Sequence, residues 1–257
     1  MGSSQLSPSA DPGLSTSARR CAPTRKRRAD PGQVYFSSLP AFGGVPIARL
    51  ILVRHGQTDW NLEGRIQGKT DVPLSEAGRR QAAAVARLLA AEPVAAVYSS
   101  PLRRAAETAQ VVARPHGLPV CLVSELRELD QGELEGLRVE EVRAGYREFW
   151  AAWSEDAGGV RMPGGETIAE LADRAWGAIS EIVGRHRGET VVAVTHGFAL
   201  LAVVVRALDL DLGYVRRFRV ECGGVCRLDF GRRPPVLLSF NETAHLQALG
   251  PEPNLAP

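Results

Sequence analysis

The chain has 257 residues, of which 44% are hydrophobic and 23% are charged, a balance typical of a soluble globular protein that can bury a sizeable core. Its longest uninterrupted apolar run, "FALLAVVV" from Phe198 to Val205, is far shorter than the roughly 20 residues that a bilayer span requires, so no membrane segment is expected. Four cysteines are too few for a disulfide scaffold in a chain of this length, and the sequence predicts a cytoplasmic protein.

The net charge of +2 hides a basic N-terminal segment. Residues 1–48 contain six basic and two acidic side chains and are rich in Ser, Pro, Ala and Gly, which predicts a disordered basic tail. Its cluster "RRCAPTRKRR" is compatible with nucleic-acid binding or an address signal, but a solvated extension or a start codon placed too far upstream explains it more simply. We therefore expect no nucleic-acid partner beyond this tail, a globular domain over residues 49–246, and a flexible C-terminal tail over residues 247–257.

From residue 49 onward, short runs of β-forming residues alternate with segments of helical apolar spacing. The predicted strands are 50–53, 94–98 and 190–195, and the predicted helices are 75–91, 101–113, 166–184 and 197–208. Ser75, Ser100 followed by Pro101, and Thr167 mark three helix starts. The alternation predicts an α/β fold, a three-layer sandwich in which helices cover both faces of a mostly parallel sheet. The last third, "FRVECGGVCRLDF" and "PPVLLSFN", predicts further strands, antiparallel at the sheet edge.

Two of the predicted strands end on a histidine followed by glycine. The segment "LILVRHG" delivers Arg54 and His55, and "VVAVTHG" delivers His196. A third strand leads into "SSPLRRA", where a helix would carry Arg103 and Arg104 in its first turn. The ligand crevice of an open α/β sheet lies beyond the carboxyl ends of its strands, so these side chains are expected to meet. Arginine forks and a helix N-terminus suit a phosphate group, one histidine suits nucleophilic attack on it, and a second, protonated histidine would stabilise the growing charge.

Six segments occur in the order and spacing of one known family. They are "LILVRHGQTDWN", "GRIQGKTDVPLSEAGRRQA", "SSPLRRAAETA", "LRELDQGELEG", "PGGET" and "VVAVTHG". On these motifs the chain resembles the histidine phosphatase superfamily, the phosphoglycerate mutase-like proteins, over residues 49 to about 246. The resemblance implies the phosphoglycerate mutase-like fold and a metal-independent phosphoric monoester hydrolase without a cofactor.

The resemblance also implies roles for individual residues. His55 would be the nucleophile that becomes a phosphohistidine, and Glu128 in "LRELDQG" would give the leaving group its proton. The other catalytic residues that the family implies are Arg54, Arg104 and His196. Positions that resemble phosphate- or substrate-contacting ones are Asn61, Gln67, Gly68 and Gly197. Arg104 is chosen over Arg103 because it directly precedes Ala105 in the family's Arg-Ala pattern, and nearby loop carboxylates such as Glu135 are expected to be solvated.

Two other motifs compete with this interpretation. The segment "GRIQGKT" resembles a phosphate-binding P-loop, but Gly64 and Gly68 stand one residue too close, and Pro73 interrupts the helix that should follow. The segment "CGGVC", residues 222–226, would supply only half of a zinc site, because no second Cys or His pair stands at a suitable spacing. We therefore expect no metal ligands and no cofactor.

Three functions compete for the same residues. A phosphatase is favoured over a cofactor-dependent phosphoglycerate mutase because only 67 residues separate Glu128 from His196, where mutases of the family carry a longer insertion. The third function is a non-catalytic phospho-ligand binding protein.

The expected partner is a small-molecule phosphate ester, since the sequence resembles α-ribazole phosphatases and broad-specificity bacterial phosphatases. Phosphoglycerate derivatives and sugar phosphates stay open as substrates, and a homodimer stays open as the oligomeric state. The aromatic run "YREFWAAW", residues 146–153, is interpreted as packing a lid, with contact to an apolar or ring-bearing substrate as the alternative.

Overall fold

The computed structural model describes residues 46–231 and 234–250. Its six strands are β1 (Ala48–Arg54), β2 (Val94–Ser99), β3 (Val120–Leu122), β4 (Thr190–Thr195), β5 (Val225–Phe230) and β6 (Val236–Glu242). They form one sheet in the spatial order β3-β2-β4-β1-β5-β6. The first four strands run parallel, whereas β5 is antiparallel to β1 and β6 is antiparallel to β5. The predicted mostly parallel sheet with antiparallel strands at one edge is confirmed.

Helices cover both faces of this sheet. They are α1 (Asp59–Leu62), α2 (Glu76–Leu89), α3 (Arg103–Ala113), α4 (Val139–Gly145), α5 (Arg147–Glu155), α6 (Ile168–Arg185) and α7 (Gly197–Ala207). Successive side chains of a strand point to opposite faces, so Ile51 of β1 packs with residues of α2 and α3, while its neighbour Leu52 packs with residues of α6 and α7. Both faces of the central strands are thereby buried, and the predicted three-layer sandwich is confirmed.

The helix starts show where the sequence signals hold. Ser75 and Thr167 cap α2 and α6, each accepting a backbone N–H through its side chain, as predicted. The helix predicted to begin at residue 101 begins instead at Arg103, whose N–H donates to a carboxylate oxygen of Asp71 over 2.7 Å. The N-cap residue is Leu102 and not Ser100, whose hydroxyl accepts the Leu102 N–H over 3.3 Å and also contacts the candidate site described below.

Two further differences concern the sheet. The short edge strand β3 follows no pattern in the sequence, since it has only three residues and none of them is fully buried. Residues 218–224, predicted as part of a strand, form a turn before β5, and Gly223 adopts a positive φ of 75° there.

The helices α4 and α5 form a lid over one end of the sandwich. Their buried residues, Val142 and Trp153, join a separate apolar cluster with residues of α6 and α7. The aromatic run therefore lies on a helix, α5, that packs on the body of the protein.

The predicted tails fall largely outside the described part of the chain. Of residues 1–48 only the last three are described, and a 3₁₀ turn, Ala244–Leu249, spans the expected start of the C-terminal tail. Within residues 46–231 and 234–250, no helix is both long enough and apolar enough to cross a membrane.

Candidate active site

The strand register brings the three motif-bearing strand ends together. Arg54 of β1 lies opposite Thr195 of β4, and the next N–H, that of His55, donates to the Thr195 carbonyl oxygen over 2.9 Å. On the other side of β4, the N–H of Ser100 donates to the carbonyl oxygen of Val194 over 3.0 Å. As a result, the ring centroids of His55 and His196 lie 5.1 Å apart. The predicted meeting of these histidines is a direct consequence of parallel pairing.

His55 is buried and has a fixed tautomer. Its Nδ1 lies 2.7 Å from the carbonyl oxygen of Gly56. A carbonyl oxygen only accepts hydrogen bonds, so Nδ1 carries the proton and Nε2 carries a lone pair. Burial, together with the positive charges of Arg104 and Arg54, lowers the pKa of His55 well below its ordinary value. A neutral imidazole with a free lone pair on Nε2 is the form that can attack phosphorus.

His196 is fully buried beside it. Its Nε2 lies 2.7 Å from the hydroxyl oxygen of Ser100, and its Nδ1 has no hydrogen-bond partner among the described residues. Burial and the neighbouring charges, first that of Arg104, lower the pKa of His196 well below its ordinary value. These surroundings favour the neutral form of His196, which differs from the protonated state expected from the sequence. The difference arises because the site gathers cations that oppose one more positive charge.

Of the two adjacent arginines, Arg103 and Arg104, it is Arg104 that is fully buried. Its two terminal nitrogens donate to the carbonyl oxygens of Gly68 and Thr70 over 2.7 and 2.8 Å, and its Nε has no partner among the described residues. Burial lowers the pKa of Arg104 to about 10, so its guanidinium remains charged at neutral pH. Arg103, by contrast, is 58% exposed and lies near Glu107. The choice of Arg104 over Arg103 therefore agrees with the geometry.

A loop carboxylate fixes the segment that holds Arg104. Glu135 accepts hydrogen bonds from the backbone N–H groups of Lys69 and Thr70 and from the Thr70 hydroxyl. The expectation that Glu135 is solvated is wrong, because its carboxylate serves as the acceptor for a loop whose own N–H groups have no strand partner. Gly68 has a φ of +52°, and a Cβ there would lie 2.0 Å from Glu135, so the loop requires glycine.

Arg54 lies on the opposite wall of the pocket. Its Nη1 donates to the carbonyl oxygen of Val220 over 2.6 Å, and its buried Nε has no partner among the described residues. The turn containing Val220 is positioned by Gly223, whose N–H donates to the carbonyl oxygens of Arg54 and His55. Two guanidinium groups thus present unsatisfied nitrogens to one region, which is the arrangement that binds a tetrahedral oxyanion.

Glu128 lies at the N-terminus of α7. Its two carboxylate oxygens accept the backbone N–H groups of Phe198 and Ala199, each over 3.1 Å. A Cβ built on Gly197 would lie at ordinary contact distance from both groups, 3.5 Å from Glu128 Oε2 and 3.7 Å from Arg54 Cζ, so Gly197 lies between Glu128 and Arg54. The sequence-predicted proton donor is thereby located beside Arg54.

Arg174 of α6 and Glu166 hold the loop that carries Glu128. Arg174 donates to the carbonyl oxygens of Glu125, Arg127 and Glu128 over 2.6 to 2.9 Å, and it forms a two-point ion pair with Glu166. Sequence reasoning missed Arg174, because its targets are backbone oxygens and these leave no residue signature. Glu166 lies in the quoted "PGGET" segment, which was the available signal.

Asn61 and Gln67 line the cleft with their amide groups. The Thr58 N–H donates to Asn61 Oδ1, and the Thr58 hydroxyl, which has one hydrogen to donate, lies 3.0 Å from both Asn61 Oδ1 and Gln67 Oε1. The NH₂ groups of Asn61 and Gln67 make no hydrogen bond within the described ranges. Together with His55, Arg54, Arg104, Gly68, Glu128 and Gly197, they line a cleft of about 650 Å³.

No metal centre is formed by the described part of the chain, where no three His, Cys, Asp or Glu side chains cluster as ligands. Cys222 and Cys226 of the "CGGVC" segment are free thiols, and both are buried.

Two buried imidazoles beside two incompletely paired guanidinium groups make a site that suits a tetrahedral anion such as phosphate, at the carboxyl edge of the sheet of an α/β protein. Comparison with known families makes this specific. The Histidine phosphatase superfamily (branch 1) matches residues 50–243, and the chain belongs to that superfamily.

Some relatives within the superfamily carry phosphatase names, and others, such as the probable phosphoglycerate mutase GpmB of Salmonella choleraesuis at 35% identity, carry mutase names. Phosphoserine phosphatase 1 of Hydrogenobacter thermophilus is 36% identical over 78% of this chain and 95% of its own length. Metal-independent phosphoserine phosphatase of Arabidopsis thaliana is 42% identical over 62% of this chain and 68% of its own. The solved structure of a putative α-ribazole-5′-phosphate phosphatase from Escherichia coli is 28% identical, with a TM-score of 0.69 over 77% of this chain and 97% of that one. The chain is therefore a phosphatase that hydrolyses phosphate monoesters, and the predicted phosphatase is confirmed over the mutase and the non-catalytic binding protein.

Proposed function

We propose that the chain hydrolyses its ester in two steps through a phosphohistidine on His55. The observation that carries this proposal is the contact between His55 Nδ1 and the carbonyl oxygen of Gly56, which leaves the lone pair on Nε2. Nε2 attacks phosphorus, so that an N–P bond forms while the ester P–O bond breaks. The electron pair of the broken bond leaves with the alcohol oxygen, which takes a proton from Glu128.

In the second step water replaces histidine on phosphorus. Glu128, now ionised, accepts a proton from the attacking water, and the water oxygen forms the new P–O bond. The N–P bond breaks, its electron pair returns to Nε2 of His55, and inorganic phosphate leaves. The carboxylate is thereby protonated again for the next turnover.

Five side chains bind the phosphoryl oxygens in this proposal. Arg54 and Arg104 donate through nitrogens that have no partner among the described residues, including both Nε atoms. If the Ser100 hydroxyl donates to Nε2 of His196, the ring proton stands on Nδ1, and this neutral ring then donates to a phosphoryl oxygen. Asn61 and Gln67 add their amide NH₂ groups. Donors oriented before the reaction stabilise the charge that develops on phosphorus.

We further propose a cytoplasmic enzyme whose partner is a small-molecule phosphate ester and which needs no metal ion, as the name of its Arabidopsis relative supports. The catalytic domain would comprise residues 49–246, preceded by the basic tail of residues 1–48. All the proposed site residues fall within this domain.

The test is capture of the phosphoenzyme. Wild-type protein is mixed with O-phosphoserine and ethyl phosphate in the presence of EDTA, quenched in alkali, and its peptides are sequenced by mass spectrometry for phosphohistidine. We expect label on His55, turnover that EDTA does not reduce, and no label or turnover in His55→Ala. His116→Ala, which removes a histidine outside the cleft, is the matched control and should behave as wild type. Full turnover in His55→Ala, or loss of turnover with EDTA, would contradict the mechanism.

A further inference from the structure

The cleft extends well beyond the phosphate pocket. From His55 it continues under the lid formed by α4 and α5, and its volume is about 650 Å³. Clefts of about 300 to 1,000 Å³ hold drug-sized ligands, so a phosphate group on a three-carbon alcohol would fill only the inner end.

The outer part of the cleft has an apolar wall. Its aromatic and aliphatic members are Ile66, Leu134, Val142, Phe149, Trp150, Trp153, Met162, Phe198, Leu201, Val215 and Phe218. A wall of this composition binds an apolar group through burial of surface area. The same cleft is also lined by arginines outside the phosphate pocket, namely Arg65, Arg138, Arg143, Arg216 and Arg219.

Packing of the lid accounts for only part of this wall. Trp153 is 8% exposed, and its ring stacks on Phe149 and meets Phe198 edge-on, with centroids 6.0 and 5.9 Å apart. Trp153 is therefore the most buried of the three rings. Phe149 and Trp150 also pack against this apolar cluster, but both remain partly exposed while lining the cleft, and the guanidinium of Arg143 lies 4.8 Å from the centroid of the Trp150 ring. These two rings are available to a ligand.

The carboxylates along the cleft do not suit the ammonium group of an amino-acid ester. Apart from Glu128 in the proposed chemistry, the carboxylates lining it are Glu63 and Glu140, both exposed at the rim, and Glu63 is paired with Arg65. The ammonium group of a phosphorylated amino acid would therefore face the apolar wall without a buried carboxylate from the described residues. Desolvating a charge without such a partner is costly.

Building on the proposed phosphohistidine mechanism, we propose that the preferred substrates are phosphate monoesters of apolar, ring-bearing alcohols, with the ring seated against Phe149 and Trp150. The phosphate group enters the pocket of His55, and the alcohol part extends under the lid. Arg143 acts by holding Trp150 in place.

The test compares three primary alkyl esters, because their leaving alcohols are of similar type. We expect kcat/KM for 2-phenylethyl phosphate to exceed that for ethyl phosphate and for O-phosphoserine by about tenfold or more, the scale of discrimination available to a hydrophobic pocket. In Trp150→Ala this preference should shrink by about tenfold, since the ring contact is lost. Trp176→Ala is the matched control, because Trp176 packs against Phe230 and does not line the cleft; it should leave the preference unchanged.

The outcomes separate this inference from the function on which it rests. Rapid hydrolysis of O-phosphoserine with weak hydrolysis of 2-phenylethyl phosphate, or an unchanged preference in Trp150→Ala, overturns the substrate class and leaves the phosphohistidine mechanism intact. No hydrolysis of any ester and no phosphorylated His55 overturns both. Because the preference is a ratio measured on each purified variant, a partial loss of folded protein does not alter it.

Discussion

The tautomer of His55 is set by the backbone carbonyl of the residue that follows it. Gly56 at this position also allows close approach to α2, since a Cβ on it would lie 2.4 Å from the carbonyl oxygen of Gly78. The glycine after the histidine thus serves packing and leaves the ring in the orientation that exposes Nε2 to the cleft. A larger residue there would displace the turn that carries the nucleophile.

The adjacent arginines provide a matched pair of substitutions. Arg104→Ala should reduce kcat/KM by about 10²- to 10³-fold, the cost of removing a donor that is oriented toward the transition state. Arg103→Ala should remain close to wild type, because its exposed side chain lies outside the cleft. Steady-state kinetics on ethyl phosphate measures both variants. Equal losses in the two variants would show that Arg104 has no special role.

The role of Glu128 predicts a dependence on the leaving group. Glu128→Gln should reduce kcat for ethyl phosphate by about 10²-fold or more, since an alkoxide needs the proton, and by less than about tenfold for p-nitrophenyl phosphate, whose phenolate leaves unaided. The comparison of two substrates removes any general effect of disturbing the hydrogen bonds to α7. Glu133→Gln is the control, because the Glu133 carboxylate does not line the cleft. Equal losses on both esters would contradict proton donation.

At the scale of elements, the loop before α2 depends on one glycine. Gly68→Ala should destabilise the fold by about 1–3 kcal/mol through backbone strain, and it should also lower activity, because the clash with Glu135 displaces the carbonyl that holds Arg104. Gly117 has a similar φ of +64°, but a Cβ built there would meet nothing within 4 Å. Gly117→Ala should therefore lose stability without losing activity. Urea denaturation of both variants measures the effect of backbone strain on stability, and kinetics on both variants measures the effect of displacing the carbonyl that holds Arg104. Full activity in Gly68→Ala would contradict the role of this loop.

The sequence predicted the helices, the strands and the charged side chains of the site better than it predicted the groups that hold those side chains in position. Periodicity and strand-end motifs indicated His55, His196 and the Arg103–Arg104 pair, because parallel strands place their carboxyl ends side by side. The family resemblance then favoured Arg104 over Arg103. The groups that position them were not predictable in the same way. Arg104 is held by backbone carbonyls, and Glu135 lies in a loop where neither burial nor periodicity distinguishes it from a solvated carboxylate.

At the scale of the whole molecule, the buried histidines link stability to pH. Burial lowers the pKa of His55 and of His196 in the folded state, so between pH 6.5 and those lowered values the unfolded chain binds protons that the folded chain does not. The free energy of unfolding should therefore fall as the pH drops below about 6.5, the ordinary histidine pKa, and should gain nothing from these groups above it. Carboxylates whose pKa is lowered in the folded state, such as Glu170 with a pKa of about 2, affect the free energy of unfolding only at lower pH.

Urea denaturation at pH 7.5, 6.5 and 5.5 measures this dependence. The double variant His55→Ala/His196→Ala should show a shallower decline than wild type, whatever its absolute stability, because two of the proton-binding differences are removed. A wild-type stability that is constant over this range would contradict the neutral state of the two rings.

The position of β1 between β4 and β5 has a consequence for synthesis on the ribosome. Strand β1, which leads to the proposed nucleophile, is made early, but both of its hydrogen-bonding neighbours come from the second half of the chain, the later one ending at Phe230. A nascent chain that has emerged only as far as α6 therefore exposes an apolar strand with both edges unpaired, a state prone to intermolecular pairing. Chaperone protection during translation would matter most in this interval, and a chain truncated before β5 would have no enzyme activity.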